Sequence, residues 1–204
     1  MNYILFDGPR RNHLLPFTFT RPVADIRVGI MTIKEKWEAY LKQSCSYHTE
    51  EYLSKKYTLT LAKDNIFIDA SFLPTKEVIT EIEKLDVNQA LVQDDIIIAY
   101  RSGSVIEDIN YDFLNRIVFE GEIIRIAFTW DIFSKNEESL QVDFDFITKG
   151  RKSQPISKTN SLICPERIFL EEGAKVEYSI LNATDGPIYI GKNAEIWEGS
   201  LIRG

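Results

Sequence analysis

Cysteine is nearly absent: Cys45 and Cys164 are the only two in 204 residues. Two thiols so far apart exclude a disulfide framework and a cysteine-based metal knuckle, and they are expected as reduced, buried side chains. Histidine is equally scarce. His13 and His48 are the only two, and neither has neighbours that would make a metal site or a nucleophile–base pair. Positive charge is in deficit, with 24 Lys and Arg against 31 Asp and Glu, a net charge of −7 and a pI near 5.0. No large basic face can be built from that balance, so no nucleic-acid or membrane partner is expected. No apolar run approaches the roughly 18 residues of a membrane span. The first apolar run ends at Asp7 after a few residues, so no signal peptide is expected and the expected location is the cytoplasm.

What the chain does have is apolar mass. Hydrophobic residues make up 44%, including 12 Phe, 9 Tyr and 3 Trp, enough for a packed core and too much for a disordered chain. The length accommodates one full domain with something small beside it.

Along the first 150 residues, strand-like and helix-like segments alternate. "YILF" (3–6) is a short apolar run closed by Asp-Gly-Pro, a buried strand ending in a turn. "IMTIKEKWEAYL" (30–41) carries apolar residues at helical spacing, "TEEYLSKKY" (49–57) opens as a short helix would, and "NIFIDA" (65–70) predicts a strand. "TKEVITEIEKL" (75–85) predicts a helix capped by Thr75. "ALV" and "IIIAYR" (96–101) around Gln-Asp-Asp predict two strands, paired as a hairpin. "EIIRIAF" (122–128) alternates like a strand, and "WDIFSKNEESLQVDF" (130–144) predicts a helix. The alternation points to an α/β sandwich over 1–150.

The character then changes. "KGRKSQPISKTN" is polar and aperiodic, which predicts a linker over 151–164. From 165 to 204 an aliphatic residue recurs at every sixth position: Leu170 and Val176, then Ile190, Ile196 and Ile202, with small Ala194 and Ser200 four places after the isoleucines. That register suits the first coils of a parallel β-helix, where one aliphatic per face points inward and small residues take the corners. Such a core needs at least three coils, so the sequence is expected to be the front part of a longer protein.

The densest chemistry lies at the start. After the first strand, Arg10, Arg11, Arg21 and Arg27 crowd into one stretch of an acidic chain. A strand, a Gly turn and guanidinium forks can hold phosphate oxygens; the same arginines could instead pair with surface acids in a solvated loop. No Walker Gly-Lys-Ser/Thr and no dinucleotide fingerprint is present.

Together with Pro16-Phe-Thr18, Arg21-Pro22 and the hexad register, this stretch resembles the sugar-1-phosphate nucleotidyltransferases. Within them it is most similar to a divergent bacterial branch of the bifunctional N-acetylglucosamine-1-phosphate uridylyltransferase/glucosamine-1-phosphate acetyltransferases. The resemblance implies a nucleotide-diphospho-sugar transferase-like (Rossmann-like) α/β domain followed by the start of a left-handed parallel β-helix. It implies attack of a sugar-1-phosphate, N-acetylglucosamine-1-phosphate as first choice, on the α-phosphorus of UTP or dTTP. It implies Mg²⁺ as cofactor and a homotrimer in the full-length protein, whose β-helix would carry acetyl transfer. Carried over by position, Gly8 matches the phosphate-loop glycine, and Arg10 or Arg11 its arginine. Thr18 matches the threonine of Pro-x-Thr. Pro22 matches the proline of Pro-Lys, but Val23 stands where the lysine belongs. Arg21 or Arg27 would supply that charge, a guanidinium gripping phosphate at two oxygens. Asp69, at a strand end, matches the Mg²⁺ ligand; the second ligand is left unassigned, with Asp131, just after Trp130, the position considered for it. The departures leave a second function open: a catalytically inactive nucleotide- or sugar-binding module attached to a β-helix acyltransferase.

Overall fold

Strand β1 (Asn2–Phe6) is buried along almost its whole length and lies second from one edge of the N-terminal sheet. A strand buried on both faces must be apolar throughout rather than alternating, as Tyr-Ile-Leu-Phe is. It pairs in parallel with β2 (Cys45–His48) on one side and β3 (Asn65–Asp69) on the other. Next come β5 (Ile96–Ser102), antiparallel to β3, then β4 (Gln89–Gln93) and β6 (Asn115–Val118). The six-stranded order is β2-β1-β3-β5-β4-β6. The computed structural model describes residues 1–103 and 113–204. The chain divides into two units, Met1–Lys135 and Asn136–Gly204.

Two helices of the first unit start where the sequence signals them. Helix α1 (Ile33–Leu41) is opened by Thr32, whose hydroxyl accepts the Glu35 N–H while Glu35 reaches back to the Thr32 N–H. Its Trp37 is fully buried and donates its indole N–H to the Phe72 carbonyl at 3.0 Å. Helix α2 (Lys76–Glu83) begins at Thr75, which caps Val78 N–H. Both helices bury residues in the core with Ile66, Ile68 and Leu91 of the sheet. The hairpin β4–β5 turns at Asp94 and Asp95, both at positive φ (49° and 61°), the backbone a two-residue type I′ turn requires.

Three segments differ from their expected form. Residues 49–57 hold only a 3-10 turn over Glu51–Leu53. Residues 122–128 run extended but form a single bridge, Arg125 to Phe72, flanked by Leu73 N–H to Ile124 O and Ile126 N–H to Ser71 O. The helix expected over 130–144 is two, α3 (Thr129–Ser134) and α4 (Asn136–Thr148). β2, whose Cys-Ser-Tyr-His carries no strand pattern, was invisible to the periodicity.

The second unit contains α4 and seven short strands in three parallel sheets. β7 (Ser161–Ile163), β10 (Ile180–Asn182) and β13 (Leu201–Arg203) form one. β8 (Ile168–Leu170) pairs with β11 (Ile188–Ile190), and β9 (Lys175–Val176) with β12 (Glu195–Ile196). The paired residues Ile168 and Ile188, and Val176 and Ile196, lie twenty positions apart. Leu170, Val176 and Ile190 are buried together around Leu181, with Ile196 and Ile202 packed against them. Residues of the 151–164 segment are bonded into this stack as well. Gln154 N–H donates to Leu170 O and its side chain to Ala174 O, while Asn160 reaches Val176 O.

Candidate active site at the carboxyl ends of β1 and β3

In the parallel part of the sheet, β1 is followed in space by β2 on one flank, and β3 by the antiparallel β5 on the other. The strand order reverses between β1 and β3. Just beyond the carboxyl ends of such a pair is where open α/β sheets form ligand crevices, and here those ends present Asp7-Gly8 and Asp69.

Asp7 organises the loop that follows β1. Its Oδ2 accepts from Arg11 at 2.6 Å and from the Thr49 hydroxyl at 2.5 Å; its Oδ1 accepts Val23 N–H at 2.7 Å. Burial pushes this carboxyl above the ordinary range, while the Thr49 and Val23 hydrogen bonds and the Arg11 charge pull it back. Arg11 is itself buried. Besides Asp7, it donates to the Thr18 carbonyl at 2.5 Å and the Tyr52 hydroxyl at 2.9 Å, and lies 3.4 Å from Glu50. Thr18, fully buried, returns a hydrogen bond from its hydroxyl to the Arg11 carbonyl at 3.1 Å. Arg11 and Thr18 thus bind each other and fasten the 8–23 loop to the strand end. Removing one member of a buried pair such as Asp7–Arg11 strands a charge and costs about 3–5 kcal/mol.

Asp69 stands at the end of β3 with no exposure. Its Oδ1 accepts Ser71 N–H at 2.8 Å; its Oδ2 has no hydrogen-bond donor among the described residues. Desolvation raises its pKa to about 6, against the pull of the Ser71 hydrogen bonds and the Arg125 charge. Arg125 arrives from the extended 122–128 segment, bridged to Phe72. Its Nε donates to the Ser71 hydroxyl at 3.2 Å, and its Nη2 lies 3.9 Å from Asp69 Oδ2, also buried and also without a hydrogen bond. Two opposite charges therefore face each other just beyond hydrogen-bonding distance. Buried polar atoms left in this state in a native fold call for an explanation.

Arg10 completes the cluster. Its charge bears on Arg125, whose pKa is lowered by burial first and by Arg10 as a smaller cause. Its Nη1 lies 3.2 Å from His13 Nδ1, and its guanidinium sits 5.6 Å from the centre of the Phe128 ring. Two guanidiniums close enough to repel, one of them beside the buried Asp69, form a place for an anion.

The remaining sequence candidates lie elsewhere in the loop. Arg21 is exposed, and no hydrogen bond or ion pair holds it among the described residues. Arg27 is exposed, bonded to the Ile30 carbonyl and 3.5 Å from Glu35 at the start of α1. Val23, where a lysine was expected, is buried. Asp131 is committed to α3, its Oδ2 accepting the N–H groups of both Ala127 and Phe128 at 2.9 Å.

A family model described as sugar nucleotidyl transferase matches residues 3–152. The chain belongs to the sugar nucleotidyl transferase family. A comparison with curated proteins found no match. In this transferase domain the matched region contains every residue of the site, from Asp7 to Arg125. Arg125 escaped sequence reasoning because it lies 98 residues beyond Arg27, the last of the arginine-rich stretch. The one available signal was an arginine inside an otherwise apolar alternation, Ile-Ile-Arg-Ile-Ala-Phe.

Among the described residues no group of three or more His, Cys, Asp or Glu converges to hold a metal ion. Both Asp7 oxygens are occupied. Asp69 Oδ2 alone has the chemistry of a cation ligand: a buried carboxylate oxygen lacking a donor. A single such oxygen fits a Mg²⁺ ion whose other ligands are phosphate and water. The arrangement as a whole can bind an anion at Arg10 and Arg125 and a cation at Asp69, side by side. No described helix is long and apolar enough to cross a membrane.

Proposed function

We propose that the protein transfers a nucleotidyl group from a nucleoside triphosphate, UTP or dTTP, to a sugar-1-phosphate, with N-acetylglucosamine-1-phosphate the first candidate. The observation that carries this reading is the pair of buried atoms without hydrogen bonds, Asp69 Oδ2 and Arg125 Nη2, beside Arg10 at the strand-order reversal. A phosphate oxygen of the sugar-1-phosphate attacks the α-phosphorus, the bond to the bridging β-phosphate oxygen breaks, and pyrophosphate leaves. Such a displacement asks for alignment and charge neutralisation more than for a strong base.

Arg10 and Arg125 bind the triphosphate oxygens. Arg125 can offer Nη2 to phosphate without breaking a hydrogen bond of that atom, while Nε keeps its bond to Ser71. Mg²⁺ carried by the triphosphate would be held by Asp69 and would neutralise charge on the phosphates. Gly8 keeps the strand end thin enough for the Asp69 carboxylate to lie against it. Arg11 and Thr18 position the loop; exposed Arg21 is available to the acceptor phosphate in place of the missing lysine, and Arg27 would reach it on leaving Ile30 and Glu35. The C-terminal unit is read as the first coils of a left-handed β-helix, with the α/β domain ending near residue 150. The full-length protein is read as a cytoplasmic homotrimer.

Incubation with Mg²⁺, each nucleoside triphosphate and each sugar-1-phosphate, with assay of pyrophosphate, tests the reading; release with at least one pair is expected. The buried Val23 at the lysine position favours the second reading, a binding module without catalysis. Nucleotide binding with no pyrophosphate from any pair would establish that one instead.

A further inference from the structure

Three rings line up beside the phosphate-binding arginines. His13 and Phe128 stack with centroids 5.1 Å apart and planes 12° apart; Phe128 and Trp130 stack at 4.5 Å and 8°. Arg10 touches this group twice, through His13 Nδ1 and over the Phe128 ring. Trp130 ends the stack. It is 63% exposed although one face lies on Phe128, so its second face is open to solvent. A large aromatic ring exposed at the end of an ordered stack, next to a cluster of guanidiniums, offers a flat apolar face to a ligand whose other end is anionic.

We infer that Trp130 is the platform for the nucleobase of the nucleoside triphosphate. The inference rests on the nucleotide reading above and extends it to the part of the substrate that the arginines do not touch. A base lying on Trp130 at the spacing of the existing stack would sit two ring spacings, about 9 Å, from Phe128. A ribose and one or two phosphates bridge such a distance to Arg10. A nucleobase would extend the stack with a π face of its own, whereas a pyranose would meet the ring through C–H bonds alone. Stacking is tolerant of base identity because every base has a π face. Trp130 therefore contributes affinity for nucleotides in general and does not discriminate among bases.

The test uses the whole chain and its Trp130→Ala and Trp130→Phe variants. Each is titrated by calorimetry with UTP, dTTP and ATP as Mg²⁺ complexes, with inorganic tripolyphosphate, and with N-acetylglucosamine-1-phosphate. Trp130→Ala is expected to lose roughly fivefold to 150-fold in affinity for all three nucleotides. Trp130→Phe should recover part of that loss, and tripolyphosphate and the sugar phosphate should bind as they do to the wild type. Unchanged nucleotide affinity in Trp130→Ala overturns the platform. Equal loss for tripolyphosphate overturns it too, since the ring would then only support the arginines. Loss confined to the sugar phosphate assigns Trp130 to the acceptor and overturns the nucleobase reading. If the wild type binds nucleotides but forms no pyrophosphate, the catalytic proposal fails while the platform is still decided by these titrations. If the wild type binds no nucleotide, both fall together.

Discussion

Gly8 lies so close to Asp69 that a Cβ on Gly8 would fall 2.2 Å from Asp69 Oδ2. The glycine is dictated by space rather than by backbone angle, since Gly8 is not among the residues at positive φ. The loop glycine thus serves first to admit the carboxylate of the neighbouring strand. Gly8→Ala should displace Asp69 and, as overpacking of a tight interior, cost about 1–3 kcal/mol. Denaturant unfolding should show that cost largely vanish in an Asp69→Ala background. An equal cost in both backgrounds would mean that the contact is not its source.

The two neighbouring arginines should separate cleanly. Arg11→Ala leaves Asp7 buried without its ion-pair partner, so a stability loss of about 3–5 kcal/mol is expected from thermal or denaturant unfolding. Arg10→Ala should change stability by no more than about 0.5 kcal/mol. Losing its charge-assisted hydrogen bonds, worth about 1.5–3 kcal/mol, should weaken Mg²⁺–nucleotide binding roughly tenfold to a hundredfold. A destabilised Arg10→Ala, or one that binds nucleotide like the wild type, would contradict this assignment.

Asp69 makes stability depend on pH in a direction opposite to that of most paired carboxylates. Its folded pKa is raised to about 6 from 3.8, so the folded chain holds this proton more tightly than the unfolded one. The stabilisation from that proton is complete below about pH 4 and is lost as pH rises through 6. Relative to Asp69→Asn, which cannot titrate, the wild type should lose on the order of 3 kcal/mol between pH 4 and 7.5. Paired unfolding curves without nucleotide or Mg²⁺ measure the difference; a constant gap across that range would show that Asp69 titrates normally.

The β4–β5 turn holds Asp95 at φ 61°, a left-handed conformation that costs a side-chain-bearing residue about 1–2 kcal/mol and glycine almost nothing. Asp95→Gly should therefore raise the melting temperature, by an amount equivalent to about 0.5–1 kcal/mol after the entropy cost of glycine in the unfolded chain. A lowered melting temperature would mean that the Asp95 side chain, 3.5 Å from Arg116, contributes more than the backbone strain costs.

Much of the architecture was legible along the chain because its causes are local. Thr32 and Thr75 cap helices where their neighbours let them, the apolar Tyr-Ile-Leu-Phe marks a strand buried on both faces, and the aliphatic hexads bring Leu170, Val176 and Ile190 into one core. Residue type also singled out the arginine-rich loop after β1 as the place to look. It could not divide the labour among those arginines. Arg10 and Arg11 are adjacent and chemically identical, and only packing sends Arg11 inward to Asp7 and Thr18 while Arg10 turns toward His13 and Phe128. Nor could sequence bring Arg125 to Asp69 or lay Trp130 beside the loop, because those approaches depend on long-range contacts: the 122–128 segment pairing with Ser71–Leu73, and Phe128 stacking on His13. Composition, periodicity and caps act over a few residues and are written in the chain. The site is made by charges that meet across the sheet's end, and only the folded sheet brings them together.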